Sequence, residues 1–251
     1  MKIPLTKYGW PQVVAFPVII LAAIIIIALC GTQVLSLGVV LFLELILVLI
    51  LIWVLAFFRD PARICPSDEN LLLSPADGQI TEIETIKESN SLGIPAIKIG
   101  IFLSIFNVHI NRAPCNVKVK KVIYKKGQYK NAMNPESSRV NESNELQLVR
   151  TSSPQDELIV KQISGAIARR IVCKTGPGDE LSAAEKFGMI KFGSRTELYA
   201  PAHLNNDNAG NNPDKKDNIG RDLYQIKILV KKGDKVKAGL TPLLRYEKCV
   251  N

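Results

Sequence analysis

The chain has 251 residues, 47% of them hydrophobic, with 32 Lys and Arg against 23 Asp and Glu and a formal net charge of +9. This length suits one or two domains, and the composition excludes both intrinsic disorder and collagen-like repeats. Five cysteines, with no Cys-x-x-Cys pair among them, exclude a disulfide-stapled secreted module and read as reduced thiols with no structural zinc.

From the N-terminus, residues 13–30 form an uncharged run interrupted only by Pro17, and residues 34–58 form a second whose one charge is Glu44. Both fall within the ~17–25 apolar residues that span a bilayer. No small-residue cleavage site follows the first run, so a signal peptide gives way to a hairpin turned at Gly31-Thr32-Gln33. Lys2 and Lys7 before it, with Arg59 and Arg63 after it, put both flanks on the cytoplasmic side; Trp10 and Trp53 lie near that interface. Residues 1–58 therefore read as an anchor of two transmembrane helices in a cell (inner) membrane, or as a hairpin entering and leaving one leaflet. An ionised Glu44 at mid-bilayer costs about 2.5–3.5 kcal/mol, so this residue is expected to be protonated and bonded to a neighbouring helix or a second subunit of a homo-oligomer.

Residues 59–251 read as a basic, mainly β domain. Short β-branched stretches at 80–86, 96–103, 116–123, 145–150, 158–163, 168–173, 189–192, 196–199 and 223–230 predict strands, with only short helical patterns between them. Residues 171–184 and 228–239 resemble each other. Each runs from a strand into a Gly-Asp turn, Gly178-Asp179 or Gly233-Asp234, and leaves through a small-residue corner, Ala183-Ala184 or Ala238-Gly239. This predicts a β-sandwich of two hairpin-like halves, similar to the barrel-sandwich of biotinyl and lipoyl carrier domains but without their modified-lysine motif. Residues 133–144 and 203–218 read as loops. Lys118, Lys120, Lys121, Lys125, Lys126 and Lys130, interleaved with Tyr124 and Tyr129, suit a solvated strand face or an anionic membrane surface, where each lysine contributes ~1 kcal/mol. No nucleic-acid-binding motif accompanies them.

Three segments concentrate chemistry: Ser74 to Gly78, Phe102 to Arg112, and Phe187 to Arg195. Together they supply Asp77, His109 and Ser194, the acid, imidazole and hydroxyl of an activated nucleophile. Phe57-Phe58-Arg59-Asp60-Pro61, Ser74-Pro75-Ala76-Asp77-Gly78, Phe106-Asn107-Val108-His109 with Asn111-Arg112, residues 165–171 and residues 187–195 occur in an order that resembles the short membrane-anchored class of phosphatidylserine decarboxylases. The resemblance runs from about residue 57 to Gly239.

That resemblance implies a self-cleaving proenzyme. Ser194 would attack the carbonyl of Gly193, His109 would take its proton, and Asp77 would orient the imidazole. The products would be a β chain (1–193) and an α chain (194–251) that stay associated, the latter opening with a pyruvoyl group made from Ser194. This group, with no metal, would be the electron sink for decarboxylating a phospholipid substrate in the membrane. Phe106, Asn107, Arg112 and Arg195 are the residues expected to contact that substrate. Phe106 stands where the longer-chain class has a second histidine, which leaves His109 as the candidate proton donor. Ile105 stands for a more usual proline, Ser143 for an arginine and Ala184 for a glycine. An archaetidylserine decarboxylase would share these motifs. A membrane-anchored serine hydrolase would use the same three residues, although no Gly-x-Ser-x-Gly elbow surrounds Ser194. A tethered, non-enzymatic binding module is the remaining alternative.

Overall fold

The computed structural model describes residues 4–87, 92–166, 170–191, 193–202 and 224–249. The loop expected at 203–218 lies outside them. The chain forms two units, residues 1–62 and 63–251.

In the first unit, α1 (Gln12–Cys30) and α2 (Leu37–Phe57) are joined by a short turn at Gly31–Gln33. Both are long and apolar enough to cross a membrane. A helix is the form in which such a run satisfies every backbone group internally, and this outweighs the weak helix preference of its many Ile and Val residues. Residues Leu5 and Arg59 pair as an antiparallel bridge, Thr6 N–H donates to Phe58 O at 2.9 Å, and Asp60 N–H donates to Pro4 O at 2.7 Å. The two flanks thus meet at one end of the hairpin. Glu44 Oε1 is enclosed, with no hydrogen-bond partner among the described residues.

The second unit is built from β1 (Leu71–Leu73), β2 (Gly78–Ile86), β3 (Ala96–Leu103), β4 (Ile110–Arg112), β5 (Val117–Lys125), β6 (Ser143–Arg150) and β7 (Glu157–Ile163). There follow β8 (Ile171–Cys173), β9 (Glu180–Leu181), β10 (Lys186–Ile190), β11 (Ser194–Pro201), β12 (Tyr224–Ile228), β13 (Lys235–Val236) and β14 (Pro242–Lys248). The expected strands recur with shifted ends. The expected loop at 133–144 holds one helical turn, α3 (Ser137–Val140). One curled sheet has the order β13-β2-β3-β11-β7-β6-β5-β9, and two small sheets, β1-β14-β12 and β4-β10-β8, complete the body. Ile99, Leu146, Val160 and Leu198 from the large sheet pack with Phe187 and Leu244 from the small ones in one buried core.

The internal resemblance in the sequence corresponds to two matching halves. Strands β13, β2, β3 and β11 on one side of the large sheet answer to β9, β5, β6 and β7 on the other, and the small sheets match likewise. The half formed by β4 to β10 is inserted whole between β3 and β11 of the other half. Gly178 and Gly233 open the matching turns with φ of 93° and 99°, and their N–H groups donate to Val119 O and Ile80 O, each at 2.8 Å. Asp179 and Asp234 accept at Oδ2 from Gly176 N–H and Lys231 N–H, each at 2.9 Å. Leu73 N–H donates to Pro114 O at 2.8 Å and Arg112 N–H to Pro75 O at 3.0 Å, a reciprocal pair that joins the halves where they meet.

The corners match as well. Ala184 has φ 63° and its counterpart Gly239 has φ 69°. A left-handed alanine carries strain that glycine avoids, partly offset by the greater freedom of glycine in the unfolded chain. Ala184→Gly is therefore expected to stabilise the protein by about 0.5–1 kcal/mol, read as a higher denaturation midpoint at unchanged slope.

Candidate active site

Strand register carries the site. Residues paired across antiparallel strands share a face. On the inner face of the large sheet, Ile99, Leu198, Val160 and Leu146 form an aliphatic row. The next row toward one end is Thr196, Gln162 and Asn144, all buried, and beyond it lie Ser194, Ser164 and Glu142. The core therefore changes from hydrocarbon to amides to hydroxyls and acid within three rows. Asp77 precedes β2 at this same end, since Gln79 and Phe102 pair and Leu103 pairs with Ser194. The motifs, scattered through the sequence, converge here.

Ser194 opens β11, fully buried, and its Oγ has no hydrogen-bond partner among the described residues. Gly193 before it has φ 60°, a conformation glycine adopts without strain, and its N–H donates to His109 Nε2 at 3.3 Å. The other ring nitrogen, Nδ1, lies 2.9 Å from Asn107 O. A carbonyl only accepts, so this contact assigns the proton to Nδ1 and leaves the Nε2 lone pair facing the Gly193-Ser194 segment. Asn107 is itself fixed, its Oδ1 accepting from Ser104 N–H at 2.9 Å.

Asp77 was expected to orient this imidazole. Its carboxylate instead accepts from Arg63 Nη1 at 2.6 Å and Nη2 at 2.8 Å, and from Ala238 N–H at 2.8 Å. Among the described residues it makes no hydrogen bond to His109. The bidentate fork of Arg63 and the Ala238 N–H engage the carboxylate, and the Asn107 carbonyl occupies the Nδ1 position that an orienting acid would take.

Two residues whose roles the motifs alone do not reveal hold the segments together. Asn111, fully buried, donates from Nδ2 to Thr196 Oγ1 at 3.0 Å and to Pro75 O at 3.3 Å, and accepts from Gln162 Nε2 at 2.9 Å. Gln162 in turn accepts from Asn144 Nδ2 at 3.1 Å. One amide thus ties together the segments that carry Asp77, His109 and Ser194. Gly165 leaves room for the Gly193 carbonyl: a Cβ there would stand 1.9 Å from Gly193 O and 3.0 Å from Gly193 C. Asn141 holds the approach to Gly165, donating to Ser164 O at 2.8 Å.

The residues expected to contact substrate divide. Phe106 projects at 69% exposure beside the buried His109, and Asn107 serves the imidazole through its carbonyl. Arg195 is fully buried on the opposite face of β11, where its guanidinium binds Glu82, Glu197 at 2.7 Å and Thr81 Oγ1 at 3.0 Å. Arg112 is buried and donates to Ala184 O at 3.0 Å. Both arginines therefore occupy internal positions, where bound carbonyls and carboxylates compensate the buried charge. Lys191, buried two residues before Gly193, is held below the ordinary lysine range by burial and then by the charge of Arg170. In the basic run, Lys118 pairs with Glu180 at 3.4 Å, Lys120 with Glu157 at 2.5 Å and Lys130 with Glu136 at 3.1 Å, which reduces the charge that run offers to an anionic surface.

A model of the family described as phosphatidylserine decarboxylase matches residues 50–243. A phosphatidylserine decarboxylase proenzyme of Syntrophus aciditrophicus is 37% identical over 239 residues, covering 95% of this chain and 96% of the relative. One from Carboxydothermus hydrogenoformans is 39% identical over 78% of this chain and 81% of its own length. A third, from Pelagibacter ubique, is 42% identical over 63% of this chain and 74% of its own length.

The network behind the site titrates in a definite direction. Burial opposes ionisation of Glu197, but the charges of Arg195 and Lys98 and the hydroxyls of Tyr199 and Ser138 outweigh it and hold the carboxyl below the ordinary range. A carboxylate with a depressed folded pKa stabilises above its ordinary value and loses that contribution as pH falls through the folded one. Glu197→Gln should therefore lower stability at pH 7 by about 3 kcal/mol. The gap to the unaltered protein should narrow as pH is taken below ~4.3, measured by thermal melts across pH.

Proposed function

The chain belongs to the phosphatidylserine decarboxylase family, and on that premise we propose that it converts phosphatidylserine to phosphatidylethanolamine and CO₂ after cutting its own backbone between Gly193 and Ser194. One observation carries the reading. The Ser194 hydroxyl is sealed from solvent and unpartnered among the described residues, one peptide from an imidazole nitrogen whose lone pair faces that segment. A nucleophile so buried has its own backbone as the accessible carbonyl, which disfavours the alternative of a hydrolase acting on external esters.

In the cleavage step, Ser194 Oγ forms a bond to Gly193 C as its proton passes to His109 Nε2, so the Gly193 N–H must first yield the Nε2 lone pair to Oγ–H. The C–N bond of the peptide then breaks, the amine of Ser194 takes a proton, and the chains are joined through an ester. Loss of the Ser194 α-proton and breakage of its Cβ–Oγ bond release residues 1–193 as a carboxylate. Water then displaces ammonia from the remaining unsaturated residue. These residues fit a pyruvoyl group: a buried serine whose hydroxyl has no partner among the described residues, a glycine carbonyl before it and a base within reach. When present, that group supplies the electrophilic ketone that accepts the electron pair left as CO₂ departs. Asn107 O keeps the His109 proton on Nδ1, so Nε2 can carry a second proton to a substrate carbon and return to neutrality. The exposed Phe106 offers an apolar contact to a lipid chain at the rim.

The two apolar helices suit an enzyme whose diacyl substrate does not leave the bilayer. Lys7 and Arg59, on flanks that meet at one end of the hairpin, favour a cytoplasmic body at the inner membrane.

Denaturing gels with mass spectrometry test the reading. The unaltered protein should yield two chains, with a blocked N-terminus on the smaller. Ser194→Ala and His109→Ala should leave one intact chain without activity; two chains from Ser194→Ala would overturn the cleavage site. Gly165→Ala should slow cleavage by about 100-fold or more, because its Cβ would displace the Gly193 carbonyl from the attacking oxygen and misplacement of about 1 Å has that effect.

A further inference from the structure

The matching halves contain an internal control for Asp77. Residues Ser74-Pro75-Ala76-Asp77 correspond to Ala113-Pro114-Cys115-Asn116. Asn116 Oδ1 accepts from Ala183 N–H at 2.8 Å, as Asp77 Oδ1 accepts from Ala238 N–H at 2.8 Å. A neutral amide therefore suffices to cap the corner. What Asp77 adds is a charge and a second oxygen, and Arg63 binds both oxygens.

Arg63 is the first residue of the body, six positions after the end of α2. Its side chain is only 4% exposed, and Nη1 also donates to Ala238 O. Arg63, Asp77 and Ala238 thus close a ring. The turn it fixes reaches the imidazole through Pro75 O, which accepts from Arg112 N–H and from Asn111 Nδ2. Those two residues belong to β4, which begins immediately after His109.

We propose that Arg63 is a positioning residue for self-cleavage and that it acts through Asp77, holding the turn that buttresses the His109 strand. The proposal rests on the cleavage reading above. It gives the arginine a role distinct from membrane topology, and it gives Asp77 a role that needs no contact with the imidazole.

The test follows appearance of the small chain in full-length protein made by cell-free synthesis, where the starting material is uncut. Arg63→Ala should slow cleavage about tenfold or more, as expected when a buried carboxylate loses charged hydrogen bonds. Arg63→Lys should recover part of the rate, and added guanidinium ion should recover part of it in Arg63→Ala. Asp77→Asn keeps the cap on Ala238 N–H but leaves the buried Arg63 without its counter-charge, so it should melt lower, as expected of Glu197→Gln, and cleave slowly at temperatures where it is folded. The double variant Arg63→Ala, Asp77→Asn should be no slower than the slower single one. Cleavage of Arg63→Ala at the normal rate would overturn the proposal. So would losses that multiply in the double variant, since Arg63 would then act independently of Asp77. If Arg63→Ala does not fold, Arg63→Lys decides: a folded variant cleaving at the normal rate, or one whose loss multiplies with that of Asp77→Asn, overturns the proposal. An unaltered protein that stays uncut at Gly193-Ser194 would overturn the cleavage reading itself, separately from any behaviour of Arg63.

Discussion

A neutral imidazole has one lone pair to offer, and here the Gly193 N–H holds it. That bond demands a ring of fixed tautomer, a glycine turned into the left-handed region and a strand that begins at the next residue. The Asn107 carbonyl supplies the first, Gly193 at φ 60° the second, and β11 between β3 and β7 the third. Each support is itself supported. Asn107 is pinned to Ser104, β4 is tied to the Asp77 turn through Asn111, and Gly165 leaves the Gly193 carbonyl the space a Cβ would fill. A site held by many short, buried bonds needs little rearrangement when charge moves, which is the physical content of preorganisation.

The inner face of the large sheet shows how a small domain accommodates such a site. Polar groups in a core are tolerated when they bond to one another, and the row of Thr196, Gln162 and Asn144 satisfies that condition with Asn111 as the shared partner. This row separates the hydrocarbon core from Ser194. On the other face, the buried Arg195 and Glu197 cluster with the half-buried Glu82 and Lys98. The two faces of one strand thus carry reactive and structural polar groups side by side, separated by strand alternation alone.

Much of this was legible in the sequence, for identifiable reasons. The apolar runs, the β-branched stretches and the two Gly-Asp turns are local signals, and the helices, most strands and the matching halves followed from them. β1, β4, β14 and the two-residue β9 and β13 were not visible. Leu71-Leu72-Leu73 has no period, Ile110 to Arg112 is too short to show one, and Pro242 opens a strand with a residue that cannot donate to a ladder. At the candidate site, Asp77, His109 and Ser194 stood out in the sequence as candidates, but the side chains and carbonyls they bond to did not. Arg63 was read as a charge near a membrane, and nothing local told that it would lie against a carboxylate fourteen residues away. Arg195 was read as a substrate contact; the alternation of β11 turns it to the face opposite Ser194.

The insertion of one half into the other has a consequence for the life of the molecule. β11 runs between β3 and β7, and β13 and β14 pair with β2 and β1, so residues after Ser194 are woven through those before it. While the backbone is whole, folding is an event within one chain. If it opens at Gly193, as proposed above, the same interleaved sheet would have to be regained by two separate chains once lost, and encounter between them would then depend on concentration. Survival of the cut protein would be governed by how slowly it unfolds rather than by how favourably it folds. The uncut chain would act as the folding template, and the cut form would persist as a trapped, once-assembled object.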